Sequence, residues 1–278
     1  MKYCDLHCDL LRKIKSVSEW GETNLSITPE GLSSGVILQF FAVFAPNGEA
    51  TEGYFAEKVA LFKEIRRRFA GAYLSVENGG AFAPCAHQAE RLADVGVKIF
   101  GLVWNGGNAL GGGHGQPRGL SAAGEKVCET LLQRDVLIDV SHLSDAGFDR
   151  VYEICRAAKK PFLATHSDAR ALCAHTRNLT DGQLKKIAAV GGVAGVNFYP
   201  PHLGGYSPAE HIRHIVNVAG EDTPCIGSDF DGIERGFYEN CREAEERLFS
   251  DLCRAGISER VAEKVLRKNV ERIRADNG

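Results

Sequence analysis

Eight short apolar runs rich in Val, Ile and Phe punctuate the chain, at Tyr3–Cys8, Gly35–Phe44, Ala72–Val76, Val97–Val103, Val136–Ser141, Phe162–Thr165, Val193–Phe198 and Thr223–Gly227. Several are apolar at odd and even positions alike (Val36-Ile37-Leu38, Val136-Leu137-Ile138), as strands buried on both faces should be. Between them the apolar spacing lengthens to a helical period. This predicts helices at Thr51–Phe69, Gly124–Arg134, Asp145–Ala158, Asp181–Val190 and Pro208–Ala219, then Ala244–Ala255 and Ser258–Arg274, the last with Ser258 as its cap. Eight strand–helix units of about 35 residues each predict a (β/α)8 TIM barrel, formed as a single domain over residues 1–278. The runner-up is a doubly wound open sheet, but no Gly-rich nucleotide fingerprint follows the first strand. The longest irregular stretch, Gly106–Gly119, carries seven Gly and His114 after the fourth strand, where a mobile loop or lid over the catalytic face is expected.

Composition narrows the partners. Lys and Arg number 33 against 36 Asp and Glu, a net charge of −3, and no basic stripe stands out, so no nucleic-acid partner is expected. The Arg66–Arg68 run reads as a solvated helix face. No apolar run approaches the roughly 18 residues of a membrane span, and no signal pattern follows Met1, so no membrane association is expected. The nine Cys are scattered with no C-x-x-C pair, which points to free thiols in a reducing cytoplasm.

The chemistry sits at the strand ends. Period two places Asp5, His7 and Asp9 on one face of the first strand, with Cys4 and Cys8 on the other, toward the helices. The third strand ends in Glu77, the fifth in His142, the sixth in His166, and the eighth in Asp229, with Asp231 two residues on. In a parallel barrel these ends converge on one mouth. Taken singly, a strand-end His reads as a hydrogen-bonded core or loop residue, and an Asp before a helix reads as an N-cap, as expected for Asp145 and Asp181. Taken together, the residues form a mixed nitrogen and oxygen set that suits Zn²⁺, with enough carboxylate to bridge two ions; Mn²⁺ or Co²⁺ fits the same donors. Among the other histidines, His87, His211 and His214 are expected on helix surfaces and His202 in a loop or at the rim. His114 is a weak candidate to approach substrate.

These motifs resemble the membrane (renal) dipeptidase family of binuclear zinc peptidases, in particular its shorter bacterial members. The matching segments run in order from Asp5-Leu6-His7-Cys8-Asp9 through Ser75-Val76-Glu77-Asn78-Gly79-Gly80, Trp104-Asn105-Gly106-Gly107-Asn108 and Ile138-Asp139-Val140-Ser141-His142. They continue with Thr165-His166-Ser167-Asp168-Ala169-Arg170, Arg177-Asn178-Leu179, Val196-Asn197-Phe198-Tyr199 and Gly227-Ser228-Asp229-Phe230-Asp231-Gly232. The resemblance implies two zinc ions, one on His7 and Asp9, the other on His142 and His166, with Glu77 bridging. It implies that Asp229 contacts the substrate amine and handles protons, that Arg177 grips the substrate carboxylate with help from Tyr199, and that His175 is a neighbour rather than a ligand. Animal members carry a His at the end of strand four; here Trp104-Asn105 stands there, leaving Asn105 as the polar group at that position to meet substrate. The expected reaction is hydrolysis of a dipeptide, C-terminal D-residues included among the candidates, by a protein whose family commonly forms homodimers. Alternatives are a metal-dependent amidohydrolase acting on N-acyl amino acids, lactones or cyclic amides, and an inactive metal-binding homologue. A nuclease of the H-x-H-x-D type is disfavoured, since position 5 is Asp.

Overall fold

Strands that are apolar on both faces need an apolar layer on each side, and a closed barrel wrapped by helices supplies both. The computed structural model describes residues 1–275. Its eight parallel strands are β1 (Tyr3–Cys8), β2 (Val36–Val43), β3 (Ala72–Val76), β4 (Val97–Gly101), β5 (Leu137–Asp139), β6 (Leu163–Ala164), β7 (Val193–Val196) and β8 (Pro224–Ile226). They close in sequential order, β8 returning to β1. From β4 onward the ladders stop one or two residues short of the apolar runs that predict them. The chain there leaves the wall to form the mouth while its side chains stay buried.

The barrel interior is a small apolar cluster to which β1 contributes Cys4 and Leu6, β2 Leu38 and Phe40, and later strands Ile99, Leu137, Leu163, Val193 and Cys225. Val270 and Ile273 of the helix Asn269–Ala275 insert into the same cluster and close the end opposite the mouth. Around the wall, the larger outer core packs the helices, Glu52–Arg68, Ala122–Gln133, Asp145–Ala158 and Pro208–Ala219 among them. The helix Ala86–Val95 is not among those predicted; its inward face is made mostly of small residues, with Ala89 buried and Leu92 and Ala93 partly so. The final segment is one helical stretch interrupted by a π-helical turn at Lys264–Lys268. No described helix is long and apolar enough to cross a membrane.

Strict alternation fails along β1. Asp5 pairs with Gln39 and Cys8 with Phe41, so β1 spends one residue more than β2 over that stretch, a bulge. Cys4 therefore faces the barrel interior and Cys8 the helix layer, not both outward as period two predicts. Nor does Asp5 join His7 and Asp9 at the mouth. Its buried carboxylate accepts from Ser228 N–H (2.9 Å), Ser228 Oγ–H (2.5 Å) and His7 N–H (3.2 Å), tying β1 to the end of β8. Asp139 does the same between β5 and β6, accepting from the N–H and Oγ–H of both Ser141 and Thr165.

Three local expectations are corrected. The caps are Ser144 and Thr180, whose hydroxyls accept from Gly147 and Gln183; Asp145 and Asp181 occupy the first helical position, where their charge meets the positive helix end. His211 is buried, not on the surface: its Nδ1 accepts from Ala169 N–H (3.0 Å) and its Nε2 donates to Leu203 O (3.0 Å). The Gly-rich stretch is a pinned loop rather than a loose lid. Asn108 N–H bonds Gly111 O, Gly112 N–H bonds Gly119 O, Arg118 reaches back to Asn108 O and Gly111 O, and His114 N–H bonds His142 O. Its glycines permit this closeness, since a Cβ at Gly112 would lie 2.1 Å from Arg118 O.

Candidate metal centre and substrate pocket

His7, Asp9, Glu77, His142 and His166 converge at the mouth, each under a tenth exposed. Glu77 stands between two groups of donors. Its Oε1 lies 2.7 Å from His142 Nε2 and 3.8 Å from His166 Nε2, while its Oε2 lies 3.6 Å from His7 Nε2. On the second side, His7 Nε2 is 3.3 Å from Asp9 Oδ2 and 3.9 Å from Asp229 Oδ1. Two triads, His7–Glu77–His166 and His7–Asp9–Asp229, bring their donor atoms within 4.8 Å of one another.

The backbone that aims these groups is specialised. Asp229 (φ +63°) and Asp231 (φ +65°) both adopt left-handed conformations, which Asp tolerates better than most residues. Asp231 accepts from the Ser26 and Ile27 N–H groups and anchors the turn. Gly232 lies so close that an added Cβ would stand 2.3 Å from Asp9 Oδ2 and 2.5 Å from Asp229 Oδ1; only glycine fits beside both carboxylates.

The hydrogen bonds behind the imidazoles set their tautomers. Asn105 Oδ1 lies 2.9 Å from His142 Nδ1 and can only accept, so Nδ1 carries the proton and Nε2 keeps its lone pair. Asn105 thus backs His142 rather than standing free to meet substrate. Thr165 Oγ1 gives its proton to Asp139 Oδ2 (2.6 Å) and accepts from His166 Nδ1 (2.7 Å), which likewise frees His166 Nε2. A carboxylate–hydroxyl–imidazole chain of this kind orients a ligand and raises its basicity. Thr165→Val, nearly the same shape, should lower the affinity for divalent metal about 10–100-fold, measured by competition against a chromophoric chelator. Unchanged affinity would mean that the chain does not orient His166.

Electrostatics divide the site. Burial and the neighbouring Arg177 hold His142 down to about 4, and burial with His7 and Arg177 keeps His166 well below the ordinary imidazole value. Burial disfavours charge on His7 too, but its bonds to Asp9 and Glu77 outweigh that and hold it protonated. Burial likewise pushes Glu77 up, yet His142 and His7 pull it below the usual carboxylate range. Asp229 is lifted to about 8 by burial and by Asp9 and Glu77. Close-set carboxylates beside the neutral imidazoles of His142 and His166 are costly unless a cation joins them. Asp9 Oδ1, buried with no hydrogen-bond partner, is an acceptor left over for one. The donor set fits divalent metal ions.

A cavity of about 500 Å³ opens over these groups, lined also by Arg12, Trp104, His114, His175, Arg177, Tyr199 and His202. Trp104 packs its ring against Phe44 and stands 6.3 Å from His142 between centroids, an apolar wall. Arg177 is buried at the cavity floor. Its Nη1 donates to Ser141 O and to Ser167 Oγ (2.9 Å), and its Nη2 to His166 O (3.1 Å) and toward His142 Nε2 (3.0 Å). Four of its five N–H groups are thus held by the protein, and Nε alone lacks a partner. Tyr199 packs edge-on against His202, with ring centroids 4.9 Å apart. Nothing in the spacing of His175 and His202 along the chain marks them as a pair. Each lies in a segment of its own, and only folding brings the rings to a 4.7 Å centroid separation.

Comparison with known proteins yields concordant matches. The family model for membrane dipeptidase (peptidase family M19) matches residues 54–276. A Klebsiella pneumoniae protein known by its place in the pqqA 5′ region is 33% identical over 216 residues, covering 71% of this chain and 79% of that protein. Dipeptidase aclJ of Aspergillus oryzae is 33% identical over 131 residues, which cover 44% of this chain but only 30% of the fungal protein. Among solved structures, a metallo peptidase from Rhodobacter sphaeroides, liganded with a phosphinate mimic of the dipeptide L-Ala-D-Ala, superposes with a TM-score of 0.85 at 22% identity, over 100% of this chain and 99% of that one. At that identity the likeness speaks for the fold.

Proposed function

Since the chain belongs to the membrane dipeptidase family, peptidase family M19, we propose that it hydrolyses dipeptides at a two-metal centre held by His7 and Asp9 on one side and His142 and His166 on the other. The observation that carries this is Glu77, whose two carboxylate oxygens turn to different imidazoles, as a bridging ligand's must. Zn²⁺ is the proposed ion, since its usual ligands are imidazole and carboxylate. Bound there, two such ions would acidify a water and polarise the scissile carbonyl.

The chain's own groups do the rest. Asp229 Oδ1, beside His7 Nε2, accepts the proton of the attacking water and passes it to the leaving amine. Its carboxylate also suits the free ammonium of a dipeptide, which an N-acyl amino acid lacks. Arg177 supplies the positive charge that draws the substrate's terminal carboxylate to the floor of the cavity, and Tyr199 borders the same end. Trp104 and the pinned loop after it bound the other side and limit the pocket to a short peptide. The proposed unit is a single catalytic domain over residues 1–278, with a second copy of the chain as its proposed partner.

Protein stripped with chelator should be inactive. Reconstitution with Zn²⁺, Mn²⁺ or Co²⁺ should restore activity at two ions per chain by elemental analysis. A panel of L,L and L,D dipeptides, tripeptides and N-acyl amino acids then tests the substrate class. Hydrolysis confined to the N-acyl compounds would replace this reading with the amidohydrolase one.

A further inference from the structure

His175 and His202 lie outside both donor triads and outside the roles derived above, yet both rings line the cavity beside Arg177 and Tyr199. Their ring centroids are 4.7 Å apart, and His114 stands 5.8 Å beyond His175. Three clustered histidines invite a reading as a further metal site. The hydrogen bonds argue against it. His175 Nδ1 accepts the backbone N–H of Arg177 (3.2 Å). His202 Nδ1 faces the Asn197 amide nitrogen (3.1 Å), whose orientation is set because Asn197 Oδ1 accepts Tyr199 N–H (3.0 Å). In both rings the Nδ1 lone pair is therefore spent on a framework donor. A neutral imidazole in that state carries its proton on Nε2. Each ring thus offers an N–H donor on its far edge, not a lone pair, and neither Nε2 has a hydrogen-bond partner among the described residues.

The geometry points to His175 and His202 as a paired N–H receptor for the terminal carboxylate of the substrate, with Arg177 providing charge beneath them. This rests on the dipeptidase reading and specifies its carboxylate subsite. Arg177 has few donors to spare: Nη1 is taken up by Ser141 O and Ser167 Oγ, and Nη2 donates to His166 O. Two imidazoles side by side add to those donors, one N–H for each carboxylate oxygen. Burial and the nearby guanidinium hold both rings below the ordinary imidazole value, His202 at about 3, so they remain single-proton donors at neutral pH. Their tautomers are locked by the segment that carries Arg177 and by the Asn197–Tyr199 turn, so the receptor is set before substrate arrives.

The test compares a dipeptide with its C-terminal amide. Wild-type protein should prefer the free acid. In the His175→Ala/His202→Ala double variant the preference, as a ratio of kcat/KM values, should shrink at least about ten-fold, a loss of about 1.4 kcal/mol in discrimination. KM for the free acid should rise more than kcat falls. His175→Gln and His202→Gln, which restore an N–H donor, should recover part of the preference, while metal content by elemental analysis stays at the wild-type value throughout. An active wild type whose double variant keeps its full preference for the free acid would overturn this inference alone. A wild type inert on both peptides, with metal bound, would overturn the dipeptidase reading and the inference with it.

Discussion

Glu77→Gln should yield a folded protein that no longer retains two metal ions, with kcat/KM lowered by at least about three orders of magnitude, since metal ions at such a site would supply most of the barrier lowering. Glutamine matches glutamate in size but offers one carbonyl oxygen and an NH₂ that donates rather than ligates. Because Glu77 turns Oε1 to His142 and Oε2 to His7, one substitution weakens both halves of the centre together. The backbone should survive the change. Glu77 N–H bonds Val43 O, and the next residue, Asn78 (φ +56°), is held by Ala45 O and by the Asn47 and Asn108 side chains. Circular dichroism should therefore match the parent while elemental analysis reports fewer than two ions per chain. A variant that keeps two ions would remove Glu77 from the bridging position.

Asp229→Asn should separate proton transfer from metal binding. The expected result is a fall in kcat of about 10²–10⁴-fold, the usual range for loss of a general acid–base group, with metal content kept and KM changed much less. Asparagine tolerates the left-handed backbone of position 229 as well as aspartate does, so the turn and its closeness to Gly232 are kept. Metal content is the discriminating readout, since Asp229 Oδ1 shares a donor triad with His7 and Asp9. Loss of an ion along with activity would make Asp229 a ligand and assign the proton transfer elsewhere. Turnover close to the parent, with metal retained, would end its catalytic assignment.

What could be read in advance was whatever depends on local pattern. Both-sided apolar runs announced barrel strands, and carboxylates and imidazoles closing those runs stood out because buried strands tolerate them poorly. His7, Asp9, Glu77, His142 and His166 accordingly lie together at one mouth. What depends on pairing between distant segments stayed hidden. The β1 bulge redirects Cys4 and Asp5, and alternation alone carries no sign of a shift relative to β2. His211 sits on an amphipathic helix with other polar residues, and only Ala169 and Leu203, brought in from elsewhere, explain its burial. Asn105 and Thr165 orient the imidazoles of His142 and His166 through side-chain bonds, for which sequence spacing offers no rule.

The seam between β1 and β8 has a bearing on biogenesis. It rests on one register pair, Asp5 with Ile226, and a bridge between Cys8 and Phe230, reinforced by bonds from Ser228, which lies 221 residues from His7 in sequence. The interior behind it is sealed only when Val270 and Ile273 arrive. Contacts so distant along the chain form late, after the loop entropy of nearly the whole polypeptide has been overcome. His7 and Asp9 meet Asp229 only once β8 has joined β1. An ion held between His7, Asp9 and Asp229 would therefore report that the ring has closed.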